Sequence, residues 1–171
     1  MNHVIATRVR FALRHPEAGD GLARHLNRMP VVSECAVAWG ERRIPVSKGR
    51  HHGGYASLFP CQPVLRFESE LERRVLKQFA SIPGCAALAT QPVTIRFWLD
   101  GRSRRYTPDV LVVFEFVPKE LAIIGFRRFT FVEVKPLGFA GDPADLWSAR
   151  RQALEKALGI PLVRFPHRGG N

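Results

Sequence analysis

The chain has 171 residues, with 26 Lys and Arg against 15 Asp and Glu and a formal net charge of +11. That length holds one domain with a proper core and a short extra arm, and excludes a second full domain. The charge, with a pI near 10.7, suits a polyanionic partner better than a small metabolite. The 46% hydrophobic content is that of a folded domain and excludes a disordered basic tail.

Cys35, Cys61 and Cys85 lie roughly 25 residues apart, without the close pairs of zinc sites or the even count of a disulfide framework. Reduced thiols are expected. The first residues lack the apolar run of a signal peptide, and no stretch approaches the ~18 uninterrupted apolar residues that span a bilayer. The expected location is the cytoplasm, away from membranes.

Residues 1–66 are predicted to form a basic N-terminal arm, since glycines, prolines and histidines interrupt any sustained period. Val9 to Leu13 and Leu22 to Met29 are short enough to be isolated helical turns at most. Between Arg42 and Tyr55, Arg42, Arg43, Lys48, Arg50 and His51 are interleaved with glycines, a composition suited to lying along phosphates. A solvated basic loop has the same composition.

From Phe67 the pattern sharpens into a predicted core over residues 67–166, followed by a short tail, 167–171. Ser69 can cap a helix running to about Phe79, with Leu71, Val75, Leu76 and Phe79 on one stripe. Ser81 to Gly84 ends it. Pro92 to Leu99 reads as a strand, Asp100-Gly101 as a hairpin turn, and Arg104 to Thr107 as the returning strand. Val110 to Val117 is an apolar run consistent with a strand covered on both faces. Pro118 to Arg127 is predicted to be a loop. Phe129 to Lys135 is the next strand, and its period of two puts Phe129, Phe131, Glu133 and Lys135 on one face. Asp142-Pro143 opens a helix that runs to Gly159, and Leu162 to Phe165 makes a last strand. The expected class is α/β, a mixed sheet flanked by helices.

Asp109 stands at the mouth of one strand, and Glu133-Val134-Lys135 closes another. Two carboxylates brought to one sheet edge repel unless a cation sits between them, and Mg²⁺ prefers oxygen ligands. In phosphodiester cleavage such a metal activates the attacking water and neutralises charge on the phosphate. Taken singly, Asp109 is an ordinary turn residue and Glu133 with Lys135 an ordinary ion pair. Together they place charges on an otherwise Phe-bearing face, which a shared metal explains. Glu72 lies within the apolar arc of its helix, but Ser69-Glu70-Leu71-Glu72 also fits a capping box, so two roles compete for it.

These residues also carry a resemblance. Phe67-Glu68-Ser69-Glu70-Leu71-Glu72-Arg73, Gln91-Pro92-Val93-Thr94-Ile95, Arg105-Tyr106-Thr107-Pro108-Asp109 and Val132-Glu133-Val134-Lys135-Pro136 are similar to TnsA, the endonuclease subunit of heteromeric transposases. TnsA belongs to the PD-(D/E)xK nucleases, so the resemblance implies a restriction-endonuclease-like α-β-β-β-α-β core. It implies Glu72, Asp109, Glu133 and Lys135 as catalytic residues, and Mg²⁺, with Mn²⁺ as substitute, on Asp109, Glu133, Glu72 and the Val134 carbonyl. Arg104 and Arg105 join the arm as candidate DNA contacts. The implied activity is cleavage of the 5′ ends of a transposon in double-stranded DNA, beside a DDE-type transposase and an AAA+ regulator. A compact member is implied, or one that meets its partners through residues 1–66, since TnsA proteins carry a further C-terminal domain and only Pro166 to Asn171 follow the last strand here. A free-standing nuclease of restriction, repair or phage origin, and a non-catalytic DNA-binding accessory subunit, are the competing readings.

Overall fold

The computed structural model describes residues 36–40, 53–59, 64–99, 102–136 and 144–167. In chain order the elements are β1 (Ala36–Trp39), β2 (Gly54–Ala56), β3 (Leu65–Phe67), α1 (Glu70–Ala80), β4 (Cys85–Thr90), β5 (Val93–Leu99), β6 (Arg102–Tyr106), β7 (Val110–Phe114), α2 (Lys119–Ile123), β8 (Phe129–Pro136), α3 (Ala144–Leu158) and β9 (Leu162–His167). The predicted arm residues Arg42, Arg43, Lys48, Arg50 and His51 lie outside the described residues.

The α/β class is as expected, and the strands are mostly antiparallel. The main sheet has the order β4-β7-β8-β9. Its β4–β7 and β7–β8 pairs are antiparallel and its β8–β9 pair parallel, with α3 making the crossover. A second sheet, β1-β5-β6, is antiparallel throughout, and β2 pairs with β3. Strands β1, β2 and β3 thus fall within or across the edge of the segment read as an arm.

Both faces of the main sheet are covered, which is why β7 is a continuous apolar run, Val110 to Phe114, buried at every position. One face presents Leu88, Val110, Val112, Phe114, Val132 and Val134 to the stripe Val75, Leu76 and Phe79 of α1. The other presents Ala87, Ala89, Leu111, Val113 and Phe131 to Val93, Ile95 and Phe97 of β5 and to Leu154 of α3. The period of two read from β8 therefore holds: Phe131 and Val132 belong to opposite layers.

Helix α1 begins as expected, with Ser69 as N-cap accepting from the Glu72 amide. Helix α3 ends at Leu158, before Gly159 at φ +65, where glycine avoids the steric cost of the left-handed region.

Three expectations are corrected. Cys85 to Thr90 is a strand that the sequence hides, because four of its six residues are Cys and Ala, which have no β-branch; burial in the sheet overrides weak propensity. Its entry needs Gly84 at φ +85, where a Cβ would stand 2.6 Å from the Phe116 carbonyl oxygen. Secondly, the β5–β6 hairpin is present but belongs to a separate sheet: the main sheet and its helices follow in the order α1, β4, β7, β8, α3, β9, with the hairpin inserted between β4 and β7. Thirdly, the segment read as a loop after Pro118 contains α2, whose Pro118 stands at the N-cap.

Phe79 anchors the α1 layer, fully buried and 4.9 Å from the Phe165 ring and 5.6 Å from the Phe126 ring. Phe79→Ala should destabilise the fold by about 3–5 kcal/mol through lost burial and the cavity left behind. Denaturant unfolding measures it; a loss under about 1 kcal/mol would show that α1 does not hold this layer.

Candidate functional site

The site begins where the β7–β8 ladder stops. The two strands run in register from Val113↔Phe129 to Val110↔Val132, and the Phe114 amide donates to the Arg128 carbonyl at 2.8 Å. Two residues further, the same register sets Pro108 opposite Val134. Proline has no N–H, so the half of this rung that would reach the Val134 carbonyl cannot form. The Val134 amide, for which the Pro108 carbonyl would be the ladder acceptor, donates to Asp109 Oδ2 at 2.7 Å. Because the N–H and C=O of one strand residue point to the same side, the Val134 carbonyl faces the same opening and has lost its ladder donor. On the other flank the Asp109 carbonyl accepts from the Gln91 amide at 2.9 Å. Asp109 thereby closes two strand ends with its own backbone and side chain.

Glu133 comes to the same place from β8, on the face of Phe131, and is buried at 3% exposure. A buried carboxylate needs partners, and it has three. Tyr106 donates its hydroxyl to Oε2 in a short bond, Lys135 Nζ lies 2.9 Å from Oε1, and Arg150 of α3 lies 3.7 Å from Oε1. Arg150 also stacks over the Tyr106 ring at 4.7 Å, which orders both groups. Burial, then the Glu133 charge, pushes the Tyr106 hydroxyl far above the ordinary phenol range, so it stays a donor.

Glu72 forms the capping box. Its Oε2 accepts from the Glu68 amide at 2.9 Å and its Oε1 from the Ser69 hydroxyl at 3.3 Å, while its own amide donates to Ser69 Oγ at 3.2 Å. The reach-back goes to the amide of Glu68, one residue before the N-cap. The cap sits beside the strand carboxylates: the Glu72 charge raises Asp109, and the Lys135 charge acts on Glu72. Burial raises the Glu72 carboxyl above its usual range. The four residues Glu72, Asp109, Glu133 and Lys135 are therefore electrostatic neighbours.

Asp109 shows the consequence. Burial, then the Glu133 charge, pushes its carboxyl up to about 7, against the lowering effect of the Val134 amide. Among the described residues no group of three or more His, Cys, Asp and Glu gathers as a metal site. The available donors are two carboxylates and one carbonyl. They fit a hard cation in chemistry, since a dication relieves the repulsion that holds Asp109 up. Such a cation has to share Glu133 Oε1 with Lys135.

Tyr106, Arg150 and Gln91 belong to the site but were not singled out as site residues from the sequence. Tyr106 had a signal, as the aromatic between Arg105 and Thr107 next to Pro108-Asp109; Arg150 had none, being one of several helical arginines. Gln91 is 4% exposed, takes φ 45, and its buried Oε1 has no partner among the described residues. Arg104 and Arg105 lie exposed on β6.

The raised Asp109 carboxyl sets a pH dependence. The folded state holds this proton more tightly than the unfolded chain, whose aspartate titrates near ~3.9, so stability from this group is complete below that value and is lost as pH rises through about 7. Metal-free wild type should thus lose more melting temperature between about pH 5 and about pH 8 than Asp109→Asn does. Parallel curves for the two proteins would show that Asp109 carries no such proton.

No protein-family model, curated protein or solved structure matches the chain.

Proposed function

We propose that the chain is a metal-dependent DNA endonuclease. The observation that carries this reading is the end of the β7–β8 ladder, where the Asp109 carboxylate accepts from the Val134 amide, flanked in β8 by Glu133 and Lys135, which pair with each other. A net charge of +11 supports a polyanionic substrate. Asp109, Glu133 and the Val134 carbonyl would hold Mg²⁺ or Mn²⁺, which supplies activation of water and neutralisation of phosphate charge. Lys135, partly exposed, can release Glu133 Oε1 and orient a water toward a phosphodiester. Tyr106 and Arg150 position Glu133, the first through Oε2 and the second beside Oε1. The narrower reading is a TnsA-type subunit that cuts the 5′ ends of a transposon beside a DDE-type transposase, with an AAA+ regulator. It rests on the motif resemblance around Glu72, Asp109 and Glu133.

One observation favours a non-catalytic DNA-binding subunit: both Glu133 oxygens already have protein partners, so Lys135 and Arg150 occupy the place of a cation. Cleavage of duplex DNA with Mg²⁺ or Mn²⁺ separates the two. Asp109→Ala and Lys135→Ala should each abolish nicking while leaving DNA affinity nearly intact, since neither side chain is part of an apolar core. Retained nicking by Asp109→Ala would remove the proposed site. Glu72→Gln keeps an acceptor for the cap but loses the charge. It should keep the wild-type melting temperature and lose activity by more than about tenfold, a change on the scale seen for groups that support a metal site. Unchanged nicking would leave Glu72 as a cap alone.

A further inference from the structure

The sheet β1-β5-β6 has one face in the core and the other in solvent. Val93, Ile95, Phe97 and Tyr106 point inward. Cross-strand partners share a face, so the outward row consists of Thr94 with Thr107, Arg96 with Arg105, and Trp98 with Ser103. The first pair is joined by a 2.8 Å bond between the two hydroxyls. On β1, Ala36 and Ala38 stand opposite Arg96 and Thr94 and are exposed. Arg104 and Arg102 pair with Phe97 and Leu99, so they belong to the other face and are exposed at the open edge of β6.

We propose that this outward face is a seat for the sugar-phosphate backbone of duplex DNA flanking the site. The occupant follows from charge complementarity. The outward row carries Arg96 and Arg105, the three strands hold no carboxylate, and neither arginine makes an ion pair among the described residues. Arginine forks match phosphate oxygens, often two at a time. Trp98 is 55% exposed beside the Arg96–Arg105 pair, where its ring can pack on a sugar or base. The alanines of β1 leave room for a close approach.

Arginines on β6 have a simpler use, since charged side chains keep an edge strand from pairing with another chain. That use does not extend to Arg96, which lies on the central strand, or to Trp98. Setting Arg96 directly opposite Arg105 costs stability through like-charge repulsion, and bound phosphates offset it. Arg105 is four residues from Asp109, so at most ~14 Å of extended chain separates the seat from the carboxylates. Duplex resting there is therefore held close to the opening between β7 and β8.

The inference rests on DNA as the substrate but not on its cleavage, and the two can fail separately. Binding of a fluorescein-labelled duplex to the full chain is measured in EDTA across a salt series. Arg96→Gln with Arg105→Gln should melt no lower than wild type and lower the slope of log affinity against log salt by about two, near one per lost phosphate contact. Arg96→Lys with Arg105→Lys should retain most of the slope, which shows that charge and not folding is read. Quenching of tryptophan emission by DNA should be lost in Trp98→Phe, although Trp39 and Trp147 remain. An unchanged slope in the Gln pair overturns the proposal, even if the protein cuts DNA. A wild type that binds through this face and leaves DNA uncut with Mg²⁺ overturns the nuclease reading and leaves the seat standing.

Discussion

Pro108 has no N–H to give to Val134, and the arrangement of the site follows from that absent donor. The β7–β8 register would otherwise add another rung at this pair. Instead Asp109 Oδ2 takes the Val134 amide, the Asp109 carbonyl takes the Gln91 amide, and three strands part around one carboxylate. The aspartate takes the Val134 amide, while the Val134 carbonyl is the group that the proline leaves without a donor. The aspartate also brings a charge to a place where a regular sheet would have none.

That charge is expensive to bury, and the surroundings divide the burden unevenly. Glu133 has Tyr106, Lys135 and Arg150. Asp109 has one amide, with Glu133 and Glu72 as negative neighbours, and its carboxyl rises to about 7. One carboxylate is thus held in place by protein donors while the other is poorly compensated. A divalent cation would bind where the compensation is lacking, with release of the Asp109 proton, so affinity for metal should increase with pH. Tyr106 links this centre to the β5–β6 hairpin: its ring and hydroxyl face Glu133, while its neighbour Arg105 faces solvent on the reverse side. Alternation along one short strand connects the candidate chemistry to a candidate DNA surface.

Much of the framework was legible in the residues. Ser69 and the α1 stripe, the alternation of β8, the return of β6 along β5 and the glycine after α3 are local signals with local causes. The positions of Asp109 before β7 and of Glu133 and Lys135 on β8 could be read because strand ends and periodicity need no tertiary structure. What escaped depends on distant partners. Strand β4 is built largely of alanine and cysteine and owes its form to β7. Strand β1 is defined by its pairing with β5. Arg150 reaches Glu133 from a helix whose arginines look alike in sequence. Glu72 is the instructive case: its spacing from Ser69 announced a capping box, and the box forms, yet its neighbourhood with Asp109 and Lys135 appears only once α1 is laid on the sheet.

The most direct test of a cation at the broken rung is a Mn²⁺ titration of the ¹⁵N-labelled chain followed by amide NMR, because paramagnetic broadening falls steeply with distance from the ion. The resonances of Asp109 and Val134 should broaden first, with Glu133 and Lys135 close behind, and Asp109→Asn should abolish the effect there. Broadening that spares Val134, or that persists around it in Asp109→Asn, would contradict a metal site built on the lost Pro108–Val134 hydrogen bond.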